Sequence, residues 1–287
     1  MIEKIYAFGT SHTAGGGFEF NVSDRYRKNP NLYKKIFDTE DHFDFSYPNI
    51  LGRMINVEVV NLAKQGFGYE RVNRKLIEVV SSPKFNKDSS LVLIEISDWD
   101  RKEWYSKEIG KYFITNFGPR SIDTLSFSTD YHYENKKEAE VISKYQNTLI
   151  DFYKITHNDY QYLISKLQES FIFMISFLQR FGVKFYLTNG GLPIEPKFKQ
   201  QMNYDSNIVE YKFHKNVLNF VQDMSEFNID KESRGIVSDN HQGVSVNLTI
   251  AEHIFNKMID DKYLLSDKII IDFNKNWELI QNKLFDD

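Results

Sequence analysis

A serine near the amino terminus and a distant aspartate–histidine pair are the residues of this chain that best suit nucleophilic chemistry. Ser11 lies in the segment GTSHTAG (residues 9–15), directly after an apolar run that ends at Phe8. A serine hydroxyl is a weak nucleophile that needs a positioned base. Asp239 and His241 supply a carboxylate and an imidazole more than two hundred residues downstream. These residue types together suit acyl transfer through a serine nucleophile.

Each of these segments also has a structural explanation. A serine that follows a strand is usually a turn former or a helix cap. The segment around His241 is typical of a solvated turn, and an acidic loop such as residues 98–103 is usually solvated as well. The glycines at 15–17 lack the Lys-Ser/Thr of a phosphate-binding loop and do not have dinucleotide-binding spacing. The chemistry therefore depends on whether the fold brings these segments together.

The elements that must position them alternate along the chain. Apolar runs predict strands, and apolar residues at helical spacing predict helices. The strands are expected at residues 3–8, 57–62, 91–96 and 183–187, and the helices at 48–54, 69–81, 159–180 and 244–259. Strands that alternate with helices favour a parallel sheet covered on both faces. Sites in such sheets form beyond the carboxyl ends of the strands, where Ser11 is placed.

The chain is expected to form one domain, residues 1–287, of the α/β class. The predicted architecture is a three-layer α/β/α arrangement with a central parallel sheet. Polar, aromatic-rich insertions are expected at about 18–47 and 98–158, and the second, too long for an ordinary loop, should contain some helix. Residues 195–236 show no clear pattern. Aromatic residues make up 15% of the chain, so an aromatic surface for carbohydrate is one interpretation.

Composition excludes several classes of partner. The net charge of −4, with basic residues spread along the chain, gives no electrostatic basis for nucleic-acid binding. The absence of cysteine excludes disulfides and thiolate metal sites. No signal peptide and no apolar run of roughly 20 residues is present, so we expect no membrane partner. A cytoplasmic or virion-associated location is expected.

Four segments at predicted strand ends resemble the SGNH (GDSL-type) hydrolase family. Residues 9–15 are similar to its first block, Gly-Asp-Ser-X-Thr-X-Gly, with Thr10 in place of the aspartate. Residues 61–66 resemble the second block, an Asn followed by a Gly, and residues 239–254 resemble the last. The third block usually carries Gly-X-Asn-Asp, whereas residues 97–100 are SDWD, as in divergent phage-encoded members. The resemblance covers the sheet framework and not the insertions.

The resemblance implies a role for each matching residue. Ser11 would be the nucleophile, His241 the general base, and Asp239 the residue that orients the imidazole. The spacing departs from the family, which places the aspartate three residues before the histidine rather than two. The backbone N–H groups of Ser11 and Gly66 would form the oxyanion hole.

The altered third block removes the asparagine that donates to the oxyanion in the family. Trp99, Arg101 and Asn189 are candidates for supporting the substrate or the oxyanion instead. No metal and no cofactor are expected for this chemistry.

Two functions follow from the resemblance. The first is a serine esterase that removes an acyl group, expected to be acetyl, from a carbohydrate or a similar polar substrate. The alternative is a catalytically weakened binding or structural module of a virion or surface assembly, in which the insertions contact a further copy or another protein. The fold by itself does not decide between them.

Overall fold

The computed structural model describes residues 2–15, 46–64, 66–96, 101–116, 140–141, 143–145, 148–149, 151–152, 155, 160–189, 208–209 and 244–264. The strands are β1 (Lys4–Phe8), β2 (Glu58–Asn61), β3 (Ser90–Ile96), β4 (Arg101–Ser106), β5 (Lys111–Asn116), β6 (Lys184–Asn189) and β7 (Ile208–Val209). The helices are α1 (Ser11–Ala14), α2 (Tyr47–Ile55), α3 (Tyr69–Val80), α4 (Tyr160–Phe181) and α5 (Val244–Asp260). None of these helices is long and apolar enough to cross a membrane.

Five strands form one parallel sheet in the order β2-β1-β3-β6-β7. The chain leaves β1 toward β2 on one side and then returns to β3 on the other side of β1. This reversal of direction is the topological switch point, where open α/β sheets form their ligand crevices. Ala7 pairs with Asn61 of β2 and with Leu93 of β3, so the carboxyl ends of all three strands lie at one edge.

Helices cover both faces of this sheet. Alternate side chains of a strand point to opposite faces, and β3 shows the pattern clearly. Leu91 and Leu93 belong to the core beneath α2 and α5, whereas Val92 and Ile94 belong to the core beneath α3 and α4. The predicted three-layer α/β/α fold with a parallel central sheet is confirmed. The predicted helices and strands of this framework agree with the structure to within one or two residues.

Two helix ends were predictable because the residue type at each end is typical of that position. Pro48 lies in the first turn of α2, where its missing N–H group is not needed. Gly182 ends α4 with a φ of 67°, a left-handed conformation that glycine adopts without a steric penalty. Its N–H donates to Gln179 O at 2.9 Å and closes the last turn.

The second insertion contains two strands that the sequence did not predict. β4 and β5 form an antiparallel hairpin in which Arg101 pairs with Asn116 and Ser106 with Lys111. The hairpin is tied to α3 by polar contacts, including a Lys102–Glu70 ion pair. Neither RKEWYS nor KYFITN alternates between apolar and polar residues, so the sequence pattern does not reveal these two strands. The predicted helix of the insertion is present at the described residues between 140 and 155.

The structure describes only small parts of two segments discussed above, residues 18–47 and 195–236. The insertion at about 18–47 lies outside them apart from its last residues, and Tyr47 already belongs to α2. Within the region that showed no pattern, β7 adds two residues to the edge of the sheet.

Candidate functional site

Ser11 lies at the switch point of the sheet. β1 ends at Phe8, and Ser11 begins the single turn of α1, which the Ala14 N–H closes by donating to Thr10 O at 2.9 Å. Ser11 is 5% exposed. The prediction that a sharp turn after the first strand carries this serine is confirmed.

A buried glutamate lies beneath this turn. Glu95, near the carboxyl end of β3, is 1% exposed. Its Oε2 accepts from the Thr10 N–H at 2.7 Å, the Thr13 N–H at 3.0 Å and the Thr13 hydroxyl at 2.6 Å, and its Oε1 accepts from the Thr10 hydroxyl. A buried carboxylate is tolerated when hydrogen bonds replace its hydration, and four donors do so here. Glu95 therefore holds the turn on both sides of Ser11.

Gly9 makes this close approach possible. A Cβ atom at position 9 would lie 2.3 Å from the Thr13 Oγ1 and 2.4 Å from the Glu95 Oε2. Such contacts are far shorter than van der Waals separation. The first residue of the GTSHTAG segment must therefore be a glycine for the serine turn to rest on Glu95.

Tyr47 extends the polar cluster to two more elements. Its hydroxyl lies 3.0 Å from the Thr13 Oγ1 and 3.0 Å from the Thr188 Oγ1 on β6. Burial, together with the nearby charge of Glu95, raises the pKa of Tyr47 above its usual range. The hydroxyl thus keeps its proton at neutral pH and remains available as a donor. The Tyr47 backbone N–H donates to Asn247 Oδ1 of α5 at 3.1 Å.

The loop after β2 is bound to the serine turn. Asn61 donates through Nδ2 to Thr13 O at 2.9 Å and to the Ser46 Oγ at 3.1 Å. Its Oδ1 accepts from the Ala63 N–H at 3.1 Å, and the Lys64 N–H donates to Gly9 O at 3.2 Å. The second block of the resemblance, which begins at Asn61, therefore lies against the first block, as the sequence predicted.

Gly66 belongs to the same loop and has a φ of 75°, which disfavours any side chain there. Arg71 of α3 contacts this loop at two points. Its Nη1 donates to Leu62 O at 2.6 Å, and its guanidinium lies 5.1 Å from the Phe67 ring centroid. Burial lowers the pKa of Arg71 to about 10, so it stays charged at neutral pH. The oxyanion role of the Ser11 and Gly66 N–H groups stays a prediction.

The remaining site residues divide into two groups. Arg101 begins β4, and its Nη1 donates to Phe67 O at 3.5 Å, which places it beside the loop of Gly66. Asn189 ends β6 at the same edge, paired with Ile96 of β3. Trp99, Asp239 and His241 lie outside the described residues, so the geometry of the triad stays a prediction.

Glu95 and its partners Thr13, Tyr47 and Thr188 were not predicted as site residues from the sequence. One signal was available for Glu95: it is the single charged residue within the apolar run of residues 91–96. A charge in a strand that is covered on both faces must have partners. Nothing in the sequence pattern identifies which hydroxyl groups those partners are.

An aromatic cavity of about 540 Å³ lies on the β4–β5 hairpin. Its walls are mainly aromatic and aliphatic, with charged and hydroxyl groups among them: Trp104, Tyr105, Ser106, Lys107, Glu108, Phe113, Tyr145, Thr148 and Leu149. The Trp104 indole N–H is bound by the Thr115 Oγ1 at 2.8 Å, which fixes the orientation of the ring. This size is typical of a small-ligand pocket. Among the described residues, no group of three or more His, Asp or Glu side chains could hold a metal ion.

No family model and no curated protein matches this chain. Solved structures with a similar arrangement include a protein from Desulfitobacterium hafniense DCB-2 described as lipolytic and of the G-D-S-L family (13% identity, covering 88% of this chain and 98% of that one, TM-score 0.40). Another is TesA (12% identity, 89% and 98% covered, TM-score 0.41). A third is a family two carbohydrate esterase from Clostridium thermocellum, solved with cellohexaose (14% identity, 92% and 65% covered, TM-score 0.41).

The first of these structures bears the name of the family that residues 9–15 and 61–66 resemble. The matches do not bear on the expected phage-like character, virion association or oligomeric assembly.

Proposed function

We propose that this chain is a serine esterase of the SGNH type. The observation that carries the proposal is the placement of Ser11: it follows β1 at the switch point of a parallel sheet, in a turn bound to Glu95 below and to the Asn61 loop beside it. A nucleophile has to be held in one orientation to react efficiently. A serine that served only to cap a four-residue helix would not need this buried support.

The proposed reaction proceeds through a covalent acyl-enzyme. The Ser11 Oγ attacks the ester carbonyl while His241 takes its proton, with Asp239 orienting the imidazole. The N–H groups of Ser11 and Gly66 bind the oxyanion of the tetrahedral intermediate. As the carbon–oxygen bond to the alcohol breaks, His241 returns the proton to the leaving oxygen. Water then attacks the acyl-enzyme by the same route, and the acid and free Ser11 are released.

The substrate is proposed to be an acylated carbohydrate, with acetyl as the acyl group. The aromatic cavity supports this class of substrate, because aromatic faces with hydroxyl and charged groups at their margin suit the alternating apolar and polar surfaces of a sugar. The hairpin that carries the cavity begins at Arg101, beside the Gly66 loop. Trp104 is three residues further along the strand, about 10 Å from Arg101 at the usual rise of an antiparallel strand. We infer that a glycan chain held there runs past Arg101 and the Gly66 loop to reach Ser11.

The altered third block favours the second candidate, a binding module with weakened catalysis. SDWD (residues 97–100) lacks the asparagine that the family uses as an oxyanion donor. Losing one such donor typically lowers kcat by about 10²–10³. Turnover measurements therefore separate the two candidates.

The test is hydrolysis of a chromogenic acetyl ester by the wild type and by Ser11→Ala. We expect saturable turnover in the wild type and its loss in Ser11→Ala. Ser90→Ala is the matched control, because Ser90 is a buried serine at the amino end of β3, where it pairs with Lys4, far from the switch point. Equal activity in Ser11→Ala and the wild type would leave the binding module as the better account.

A second assay tests the carbohydrate part of the proposal. Tyr145→Ala should raise KM for an acetylated oligosaccharide about 5–20-fold through loss of one aromatic contact, and it should leave KM for the small chromogenic ester unchanged. Tyr162→Ala is the control, because Tyr162 on α4 has similar exposure, 40% against 47%, and does not line the cavity. An unchanged KM for the oligosaccharide in Tyr145→Ala would contradict the role of the cavity.

A further inference from the structure

We propose that Glu95 is a positioning residue for Ser11, and that its cluster with Thr10, Thr13 and Tyr47 sets the orientation of the nucleophile. This inference rests on the proposed esterase function. Glu95 does not contact the substrate in this account. It acts through the turn, by fixing where the Ser11 hydroxyl and backbone point.

Four hydrogen bonds join Glu95 to residues on the two sides of Ser11. Glu95 binds the N–H and the hydroxyl of Thr10, immediately before Ser11, and the same two groups of Thr13, two residues after it. The serine is therefore held from both sides by one rigid side chain of β3. A cap on only one side would leave the turn free to rotate about its other end.

A carboxylate is costly to bury at position 95 of the sheet. Toward the amino ends of the strands, the sheet face on which Glu95 lies is filled by apolar side chains such as Leu91 and Leu93. Replacing a buried charged network by apolar residues of similar size is often neutral or stabilising. The packing of the sheet therefore does not require a carboxylate at position 95. The requirement comes from the serine turn, whose four donors the carboxylate binds together.

The cluster connects the serine turn to other elements of the fold. Thr13 joins Glu95 to the Tyr47 hydroxyl, and the same tyrosine bonds Thr188 of β6. The Tyr47 backbone N–H binds Asn247 in the first turn of α5, a helix that begins three residues after His241 in the chain. The cluster thus links the serine turn to the start of the helix that follows the proposed base.

Thr13 offers the sharpest pair of variants. Thr13→Val keeps the shape of the side chain and removes the hydroxyl that bonds both Glu95 and Tyr47, whereas Thr13→Ser keeps that hydroxyl. We expect kcat to fall about 10- to 100-fold in Thr13→Val, as a displacement approaching 1 Å would produce, with KM changed less than 3-fold. Thr13→Ser should restore kcat to within about 3-fold of the wild type.

Glu95→Gln separates shape from acceptor capacity. The amide oxygen can take the three bonds of Oε2, and the amide nitrogen faces the Thr10 hydroxyl, which can rotate to accept. We expect a smaller loss of kcat than in Glu95→Ala. Ser90→Ala, from the opposite end of the same strand, controls for a general loss of stability.

Hydrogen exchange of the peptide that spans residues 9–15 gives a readout that does not depend on turnover. Thr13→Val and Glu95→Ala should speed exchange of the amides of residues 10–13 at least 10-fold, and Ser90→Ala should not. If exchange and kcat stay at wild-type levels in Thr13→Val and Glu95→Ala, the proposal is overturned. Faster exchange with an unchanged kcat overturns it as well.

The two proposals fail in different ways. If the wild type shows no turnover, the esterase proposal falls, and hydrogen exchange alone decides whether Glu95 orders the serine turn. Faster exchange confined to residues 9–15 in Glu95→Ala supports that role. Unchanged exchange in Glu95→Ala contradicts it. If the wild type is active and Ser11→Ala is inactive, the esterase proposal stands whatever the Glu95 variants show.

Discussion

Substitution of Gly9 by alanine is the change whose effect on the site can be worked out most directly. The new Cβ would lie 2.3 Å from the Thr13 Oγ1, 2.4 Å from the Glu95 Oε2 and 2.7 Å from the Glu95 Cβ. Ordinary contact needs roughly 3.4 Å or more between such atoms, so the serine turn or Glu95 has to move by about 1 Å. Both neighbours are held by hydrogen bonds and cannot rotate away without breaking them.

Two losses should follow from Gly9→Ala. Overpacking of a close-packed interior costs about 1–3 kcal/mol in the free energy of unfolding. A misplacement of about 1 Å at the nucleophile should lower kcat by about 10²-fold. The loss of kcat should thus exceed what the unfolded fraction explains, because a protein destabilised by 1–3 kcal/mol remains largely folded at 25 °C.

The assay combines urea unfolding with turnover of a chromogenic acetyl ester under folded conditions. Gly182→Ala is the matched control, because Gly182 has a φ of 67° and only Lys87 Nζ, at 3.9 Å, near a new Cβ. It should lose about 1–2 kcal/mol through backbone strain and keep its kcat. Wild-type kcat in Gly9→Ala would refute the close contact between the serine turn and Glu95.

Three further outcomes are expected. If His241 is the base, kcat/KM should fall as pH drops through about 6.5, the ordinary pKa of imidazole; a flat profile from mildly acidic to neutral pH in folded protein would contradict this. Ser11→Ala combined with His241→Ala should be little slower than either variant alone, because the two groups act as a unit, and Asp239→Asn should be less damaging than either; an additive double variant would count against the triad. The raised pKa of Tyr47 means that above pH of about 10, its ordinary value, the unfolded chain loses a proton that the folded chain retains, so the free energy of unfolding falls with pH. Tyr47→Phe should make that decline shallower in urea titrations between pH 9 and 11, and an unchanged slope would show that the phenol is not buried.

The framework of the fold could be predicted because each of its elements has its own local pattern. The run at residues 91–96 is apolar at five of six positions, and Gly182 marks the end of α4. Because strands and helices alternate along the chain, a parallel sheet is expected, and Ser11 then lies beyond the carboxyl end of the first strand. Apolar periodicity and helix-ending residues are local features, so a short stretch of sequence is enough to predict them.

The polar support of the site depends on contacts between distant residues, and a single sequence does not show them. Glu95 and Thr13 are 82 residues apart, and Tyr47 and Thr188 are 141 apart. The β4–β5 hairpin was missed because its strands do not alternate between apolar and polar residues, and charged pairs with the distant α3 help to hold it. Position in the fold, rather than local pattern, determines which threonines and tyrosines surround the serine.

Covalent trapping of the nucleophile tests the central claim most directly. A serine-reactive fluorophosphonate is incubated with the full chain, and the adduct is located by mass spectrometry of the digested protein. The account predicts one phosphonyl group on Ser11, in the peptide that contains GTSHTAG, and slower labelling in His241→Ala. Labelling at a different residue, or hydrolysis of the ester with Ser11 unmodified after complete reaction, would contradict it.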